Sequence, residues 1–199
     1  MVPELDNPKL MTLDQAVEKR AGLRRQGVRL VLTNGCFDLL HTGHLAFLRD
    51  ARARGGALWV GINADESVKK LKGPLRPVQS QEERAFALAA LAWVDGVFLF
   101  DGERLTPEIH ALAPDVYVKA GDYTLETLNP GELEALRECG AEIRFLPFLA
   151  GFSTTSLIER IHRAAVGGPA PPGAGPDFTT SEKTTAAGCR DLPRPGEGG

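Results

Sequence analysis

The chain has 199 residues, 43% hydrophobic and 25% charged, which suits one ordinary globular domain with room for a tail. A formal net charge of -3 gives no support to non-specific nucleic-acid or anionic-membrane binding. No apolar run approaches the roughly 20 residues that cross a bilayer, and Glu4 and Asp6 spoil any secretion-signal shape at the N-terminus. Cys36, Cys139 and Cys189 show no Cys-x-x-Cys spacing, which argues against a disulfide framework or structural zinc and predicts a cytoplasmic protein.

Thr12-Leu13-Asp14-Gln15 has the form of a capping box, and Leu13, Val17 and Leu23 continue a helical stripe to Gly27. This helix is expected to cover one edge of a sheet. Val28–Leu32 reads as the first buried strand, and Leu45, Leu48 and Ala51 recur at helical spacing up to Gly55-Gly56. Ala57–Ile62 is the second strand. A polar loop from Asn63 to Gln79 follows, carrying Lys69, Lys70, Lys72, Arg76 and two prolines. Ser80-Gln81-Glu82-Glu83 is a second capping box, and Val97–Phe100 is the third strand. A short helix starts at Thr106-Pro107, Val116–Lys119 is the fourth strand, and Asn129-Pro130 opens another helix. Glu142–Leu146 is the fifth strand, and Ser153-Thr154-Thr155-Ser156 caps a last helix with Leu157, Ile158 and Ile161.

Strands alternating with helices predict an α/β fold, a doubly wound five-stranded parallel sheet with right-handed crossovers. Three segments are expected: 1–27, an N-terminal segment and helix packed on the domain; 28–165, the domain itself; and 166–199, a disordered tail. The tail is rich in Gly, Pro, Ala, Ser and Thr, and cannot bury enough surface to offset its ordering entropy.

Thr33-Asn34-Gly35-Cys36-Phe37-Asp38-Leu39-Leu40-His41-Thr42-Gly43-His44 lies between the first strand and its helix. His41 and His44 are three apart on the first helical turn, where unpaired N–H groups and the helix dipole attract anions. Gly35 allows close approach of the backbone to a ligand, and Gly43 leaves room for a phosphate. Imidazole N–H groups aimed at growing phosphoryl charge lower the barrier to transfer. Two histidines without a third neighbouring ligand do not make a metal site, and Cys36 has no base to activate it.

In such sheets ligands bind beyond the strands' carboxyl ends. Lys72 and Arg76 are expected on a mobile basic flap that clamps phosphates, with Arg84 pointing the same way. Lys119, Gly121 and Asp122 end the fourth strand, Asp122 being a candidate for the ribose or a Mg²⁺-bound water. Ser153, Thr154 and Thr155 offer more hydroxyls than one cap uses, and the surplus suits a nucleotide. Asp38 is read as an acceptor-side wall, and Asn63 and Asp65 as flanking the nucleotide.

The Gly-x-Phe-Asp-x-x-His-x-Gly-His frame from Gly35 to His44 resembles the signature of the HxGH nucleotidyltransferase superfamily. The likeness extends to the branch that adenylylates D-glycero-β-D-manno-heptose 1-phosphate. It is carried by Thr33–Asp38, Asn63 with Asp65, Leu71–Pro77, Val118–Tyr123 and Ser153–Thr155. It covers about residues 10 to 165. Ala120 stands where that branch usually has a second glycine. Leu149–Phe152 lacks the Arg-Thr-Glu run of the similar glycerol-3-phosphate cytidylyltransferases.

The resemblance implies a Rossmann-like nucleotidylyl transferase fold and conversion of ATP and heptose 1-phosphate to ADP-heptose and pyrophosphate, toward envelope lipopolysaccharide. It also implies Mg²⁺ accompanying ATP, no metal site of the chain's own, and a homodimer. Carried onto this chain, His41, His44 and Lys72 are the catalytic set. Thr33, Asn34, Gly35, Cys36, Phe37, Gly43, His44, Asn63, Lys119, Gly121, Asp122, Ser153, Thr154 and Thr155 form the nucleotide site. Asp38, Lys72, Arg76 and Arg84 face the second substrate. The alternatives are transfer from CTP to glycerol 3-phosphate or another polyol phosphate, and an idle nucleotide-binding module.

Overall fold

A computed structural model describes residues 6–121, 123–147, 149 and 151–167. The elements run β1 (Leu10–Met11), α1 (Leu13–Arg25), β2 (Leu30–Gly35), α2 (Thr42–Arg52), β3 (Ala57–Asn63), α3 (Asp65–Lys72) and α4 (Gln81–Ala89). They continue with β4 (Gly96–Phe100), α5 (Thr106–Leu112), β5 (Val116–Ala120), α6 (Pro130–Glu138), β6 (Glu142–Leu146) and α7 (Thr154–Ala165). Asp122 and the expected tail beyond residue 167 lie outside the described residues.

All strands are parallel, in the order β1-β4-β3-β2-β5-β6. The sheet therefore has six strands where the sequence predicts five. The extra one, β1, pairs Leu10 with Val97 and Met11 with Phe98 at the edge. Two residues are too few to show a period of 2, so the strand has no sequence signature. β2 is also displaced, beginning at Leu30 rather than Val28 and carrying Thr33 and Asn34 within it.

The inner strands β2, β3 and β5 are covered on both faces, which explains their apolar runs. Val31, Val60, Val97 and Val118 pack under α2 and α4 with Leu48 and Leu88. Leu30, Leu32, Trp59, Phe98 and Tyr117 face the other way, against Ala16 of α1, Ile109 of α5 and Leu136 of α6. Helix α1 thus lies on a face of the sheet rather than on its edge. The capping boxes at Thr12 and Ser80 form as the residues predict, and Asn129 Oδ1 accepts from the Gly131 and Glu132 amides.

The stretch from Asn63 to Gln79 is not a continuous loop, because its first half is α3. Asp65 and Glu66 open that helix and Lys69, Lys70 and Lys72 close it, the arrangement a helix dipole favours. Its apolar side is only Val68 and the half-buried Leu71, too thin a stripe to stand out.

The chain winds outward from β2 through β3 to β4, then returns to place β5 on the other side of β2. The strand order reverses there, which opens a crevice at the carboxyl ends of β2 and β5. The β1 edge gives a direct test of the topology. A Cβ at Gly96 would run into Met11 Cε and lie 2.8 Å from Trp59 Cδ1. Gly96→Ala is expected to destabilise the domain by roughly 1–3 kcal/mol in urea unfolding, and by less in a Met11→Ala background.

Candidate active site

The turn after β2 is crowded. Phe37 takes a left-handed backbone with φ of 44° and is buried, its ring 5.1 Å from that of His44. His41 is the N-cap of α2 with an extended backbone and makes no side-chain cap, while His44 is three residues further on. The two imidazoles stack with centroids 3.8 Å apart and planes 25° from parallel. A Cβ at Gly43 would lie 3.0 Å from His41 Cε1 and Nδ1 and 3.2 Å from Phe152 Cβ. Glycine is required there by close approach, which also brings the lead-in to α7 against the head of α2.

Both Nδ1 atoms are buried without a hydrogen bond, which leaves Nε2 of each ring for a ligand. Burial, and then the neighbouring His41, push the His44 pKa down to about 4; the nearby Leu39 carbonyl opposes this without reaching normal bonding geometry. Burial lowers His41 as well. The stacked rings are therefore both neutral near pH 7, and each can donate from one nitrogen.

The rings face a cleft of about 450 Å³ at the carboxyl ends of the strands. Helices α2 and α7 both begin here, and neither has an acidic residue in its first turn. The other five each have one or two: Asp14, Asp65 with Glu66, Glu82 with Glu83, Glu108, and Glu132. The two positive helix ends at the cleft are thus left without the carboxylate that would otherwise compete with a phosphate. Ser153 lines the cleft and caps α7, its Oγ accepting from the Ser156 amide at 3.0 Å while its O–H remains available to donate. Thr154 and Thr155, the first two residues of the helix, also line the cleft.

Across from them, Asn34 Oδ1 accepts from Tyr117 Oη at 2.7 Å and from Lys119 Nζ at 2.6 Å. Burial lowers the Lys119 pKa and raises that of Tyr117. Tyr123 stands over the same ammonium, with its centroid 5.5 Å away. Thr33, Gly35, Cys36 and Phe37 form the floor. Burial raises the Cys36 thiol, so it is not poised as a nucleophile. Gly121, with φ of 93°, follows β5 without lining the cleft, and Asp122 lies outside the described residues.

Lys72 and Arg76 line the side below β3. The segment after Lys72 is tied down, since buried Asp38 accepts from Arg76 Nε at 2.5 Å and from the Val78 and Gln79 amides at 2.8 and 3.1 Å. Asn63 is likewise occupied, donating to Ser67 Oγ at 2.9 Å and to the Gly102 carbonyl at 3.2 Å.

Arg84 departs from the expectation that it faces a substrate. Its side chain has no exposed surface and does not line the cleft. Its guanidinium donates to the carbonyls of Cys36 at 2.6 Å, Asn63 at 2.8 Å and Gln79 at 3.2 Å, and to Asp65 Oδ1 at 2.7 Å. Its place on the first turn of an amphipathic helix is compatible with either face, so spacing alone could not assign it. Glu103 and Arg104, which no motif marks in the sequence, also line the cleft from the β4–α5 loop. The available signal was their position just beyond the carboxyl end of a strand.

A six-stranded parallel sheet with two acid-free helix ends and two lysines around a histidine pair defines an α/β phosphate-handling domain. Residues 32–160 match the cytidylyltransferase-like family, and the chain belongs to that family of nucleotidyltransferases. Among its relatives is the bifunctional protein HldE of Hyphomonas neptunium, 45% identical over 76% of this chain and 31% of that protein. The HldE of Methylococcus capsulatus is 48% identical over 76% of this chain and 32% of that protein. The chain spans about a third of the length of these relatives. A lipopolysaccharide core biosynthesis protein from Thermoplasma volcanium shares the fold, with a TM-score of 0.51 at 22% identity over 62% of this chain and 98% of that one.

Two measurements test this geometry. Unfolded histidine titrates near 6.5 and folded His44 near 4, so the unfolded state takes up the proton first as pH falls. Stability should drop by roughly 2–3 kcal/mol more in the wild type than in His44→Gln between pH values of about 6.5 and 4, read by urea midpoints. Arg84→Met leaves three backbone carbonyls, that of Asn63 buried, and Asp65 without their donor, and is expected to cost about 3–5 kcal/mol in the same assay.

Proposed function

We propose that the chain transfers the adenylyl group of ATP to D-glycero-β-D-manno-heptose 1-phosphate, releasing pyrophosphate and forming ADP-heptose for envelope polysaccharide. The observation that carries the reaction type is the stacked pair of neutral histidines at the acid-free head of α2. The distributed resemblance to the heptose 1-phosphate branch, and 41% to 48% identity with proteins named HldE, support the choice of substrates.

In this reading an oxygen of the acceptor phosphate attacks the α-phosphorus. A new P–O bond forms there as the bond to the pyrophosphate oxygen breaks, and the electron pair leaves with pyrophosphate. His41 and His44 donate N–H to oxygens of the α-phosphate as their charge grows. Lys119, Thr154 and Thr155 hold the nucleotide, with Thr33, Asn34, Gly35 and Phe37 beneath it. Lys72 and Arg76 neutralise the acceptor and pyrophosphate charge.

Mg²⁺ is proposed to arrive with ATP and to lower the repulsion among its phosphates. The described residues contain no group of three or more His, Cys, Asp or Glu side chains placed to hold a cation. These residues do not fit a resident metal site. A cytoplasmic homodimer is proposed on the family likeness; no helix of the described residues is long and apolar enough to cross a membrane.

His41→Ala and His44→Ala are each expected to lower kcat about 100-fold or more while the fold is retained, measured by pyrophosphate release. Wild-type turnover in both would reject the mechanism. Faster turnover with CTP and glycerol 3-phosphate than with ATP and the heptose would move the assignment to a cytidylyltransferase. Nucleotide binding without pyrophosphate from any sugar or polyol phosphate would make the chain an idle module.

A further inference from the structure

The β4–α5 loop carries two charged side chains that the reading above leaves without a task. Glu103 and Arg104 are exposed, line the cleft, and have no ion pair or hydrogen bond from their side chains among the described residues. The turn that presents them is anchored at both ends. On one side the Gly102 carbonyl accepts from Ser67 Oγ at 2.8 Å and Asn63 Nδ2 at 3.2 Å. On the other the Leu105 amide donates to Oε1 of buried Glu132 at 2.9 Å. Between these points the chain folds back so tightly that a Cβ at Gly102 would lie 2.9 Å from the Arg104 carbonyl oxygen. Two exposed side chains thus stand on a backbone fixed to β3, α3 and α6.

Strand order decides which substrate they meet. β5 and α7 bring Lys119, Thr154 and Thr155 to one side of the histidines. β3 and β4 bring Lys72, Arg76, Glu103 and Arg104 to the other. Arg104 lines the cleft, and its charge acts on Lys119 and Tyr117 across it. A carboxylate beside a guanidinium suits a ligand with hydroxyls to donate and a single phosphate to accept. It suits a triphosphate poorly, because Glu103 would repel one.

We propose that Glu103 and Arg104 form the specificity wall for the acceptor, Arg104 donating to its phosphate or ring oxygens and Glu103 accepting from its hydroxyls. This rests on the proposed reaction for the identity of the acceptor class, a sugar phosphate, but not on turnover.

The test uses D-mannose 1-phosphate as the probe, titrated by calorimetry into the full chain saturated with a non-hydrolysable ATP analogue. Arg104→Met is expected to weaken binding of the probe by about 10-fold or more, the scale of a lost charge-assisted bond, and Arg104→Lys by less. Glu103→Ala should weaken it as well. The affinity of the ATP analogue should stay within about twofold in all three variants, which a structural defect of the cleft would not allow. Unchanged binding of the probe in Arg104→Met, equal losses for probe and analogue, or a wild type that binds no sugar phosphate would each overturn the assignment. A wild type that binds the probe but transfers no nucleotidyl group to any acceptor refutes the proposed reaction and leaves this wall standing.

Discussion

One guanidinium with no exposed surface gathers the segments that build the cleft. Arg84 reaches the carbonyl of Cys36 in the signature turn, that of Asn63 at the end of β3, the Asp65 carboxylate at the head of α3, and the carbonyl of Gln79 just before α4. Those groups sit at strand ends and helix starts, where the regular ladders run out of partners. A buried cation that satisfies three of them at once also needs the one anion it has. The geometry of the histidine turn relative to the lysine-bearing segment follows from that shared donor, with Asp38 fixing the far end of the same segment.

Around this scaffold the electrostatics are uneven in a consistent way. Carboxylates stand in the first turn of every described helix except α2 and α7, whose heads meet at Gly43 and Phe152. Lys72, Arg76, Lys119 and Arg104 surround that place. The histidines at its centre are held neutral by burial, and His44 also by the neighbouring His41. Positive potential is therefore supplied by lysines, arginines and helix ends, while the rings keep a single N–H each for directional bonds. An imidazolium pair 3.8 Å apart would add charge but would repel itself.

The same strand reversal that opens the crevice also divides it. The β5 and α7 side offers an ammonium and hydroxyls, whereas the β3 and β4 side offers a denser mixture of cations with the Glu103 carboxylate and Asp38 beside Arg76. Phosphoryl chemistry needs two ligands brought to one phosphorus from different directions. A sheet whose central strand ends between two sets of loops meets that need without any movement of the core. The loops on either side can vary while β2 and its turn stay as they are.

Much of this was legible in the chain because it depends on neighbours in sequence. Capping at Thr12, Ser80, Ser153 and Asn129, the apolar runs of β3 to β5, and the strand–turn–helix frame around His41 and His44 are local chemistry repeated at short spacing. β1 stayed hidden because two residues pair only once β4 is in place, and α3 because its buried stripe is barely one residue wide. Ser153 reads as surplus hydroxyl or as cap with equal ease until the Ser156 amide is seen to use it. Arg84 reads from the sequence as a further cation beside the basic flap, and no motif singles out Glu103 or Arg104. The order of residues determined the elements and the chemistry of the signature turn. Which side chains face the cleft and which are consumed in holding it together was decided only by tertiary structure, because donors and acceptors as far apart as residues 36 and 84 find each other only when the sheet has closed.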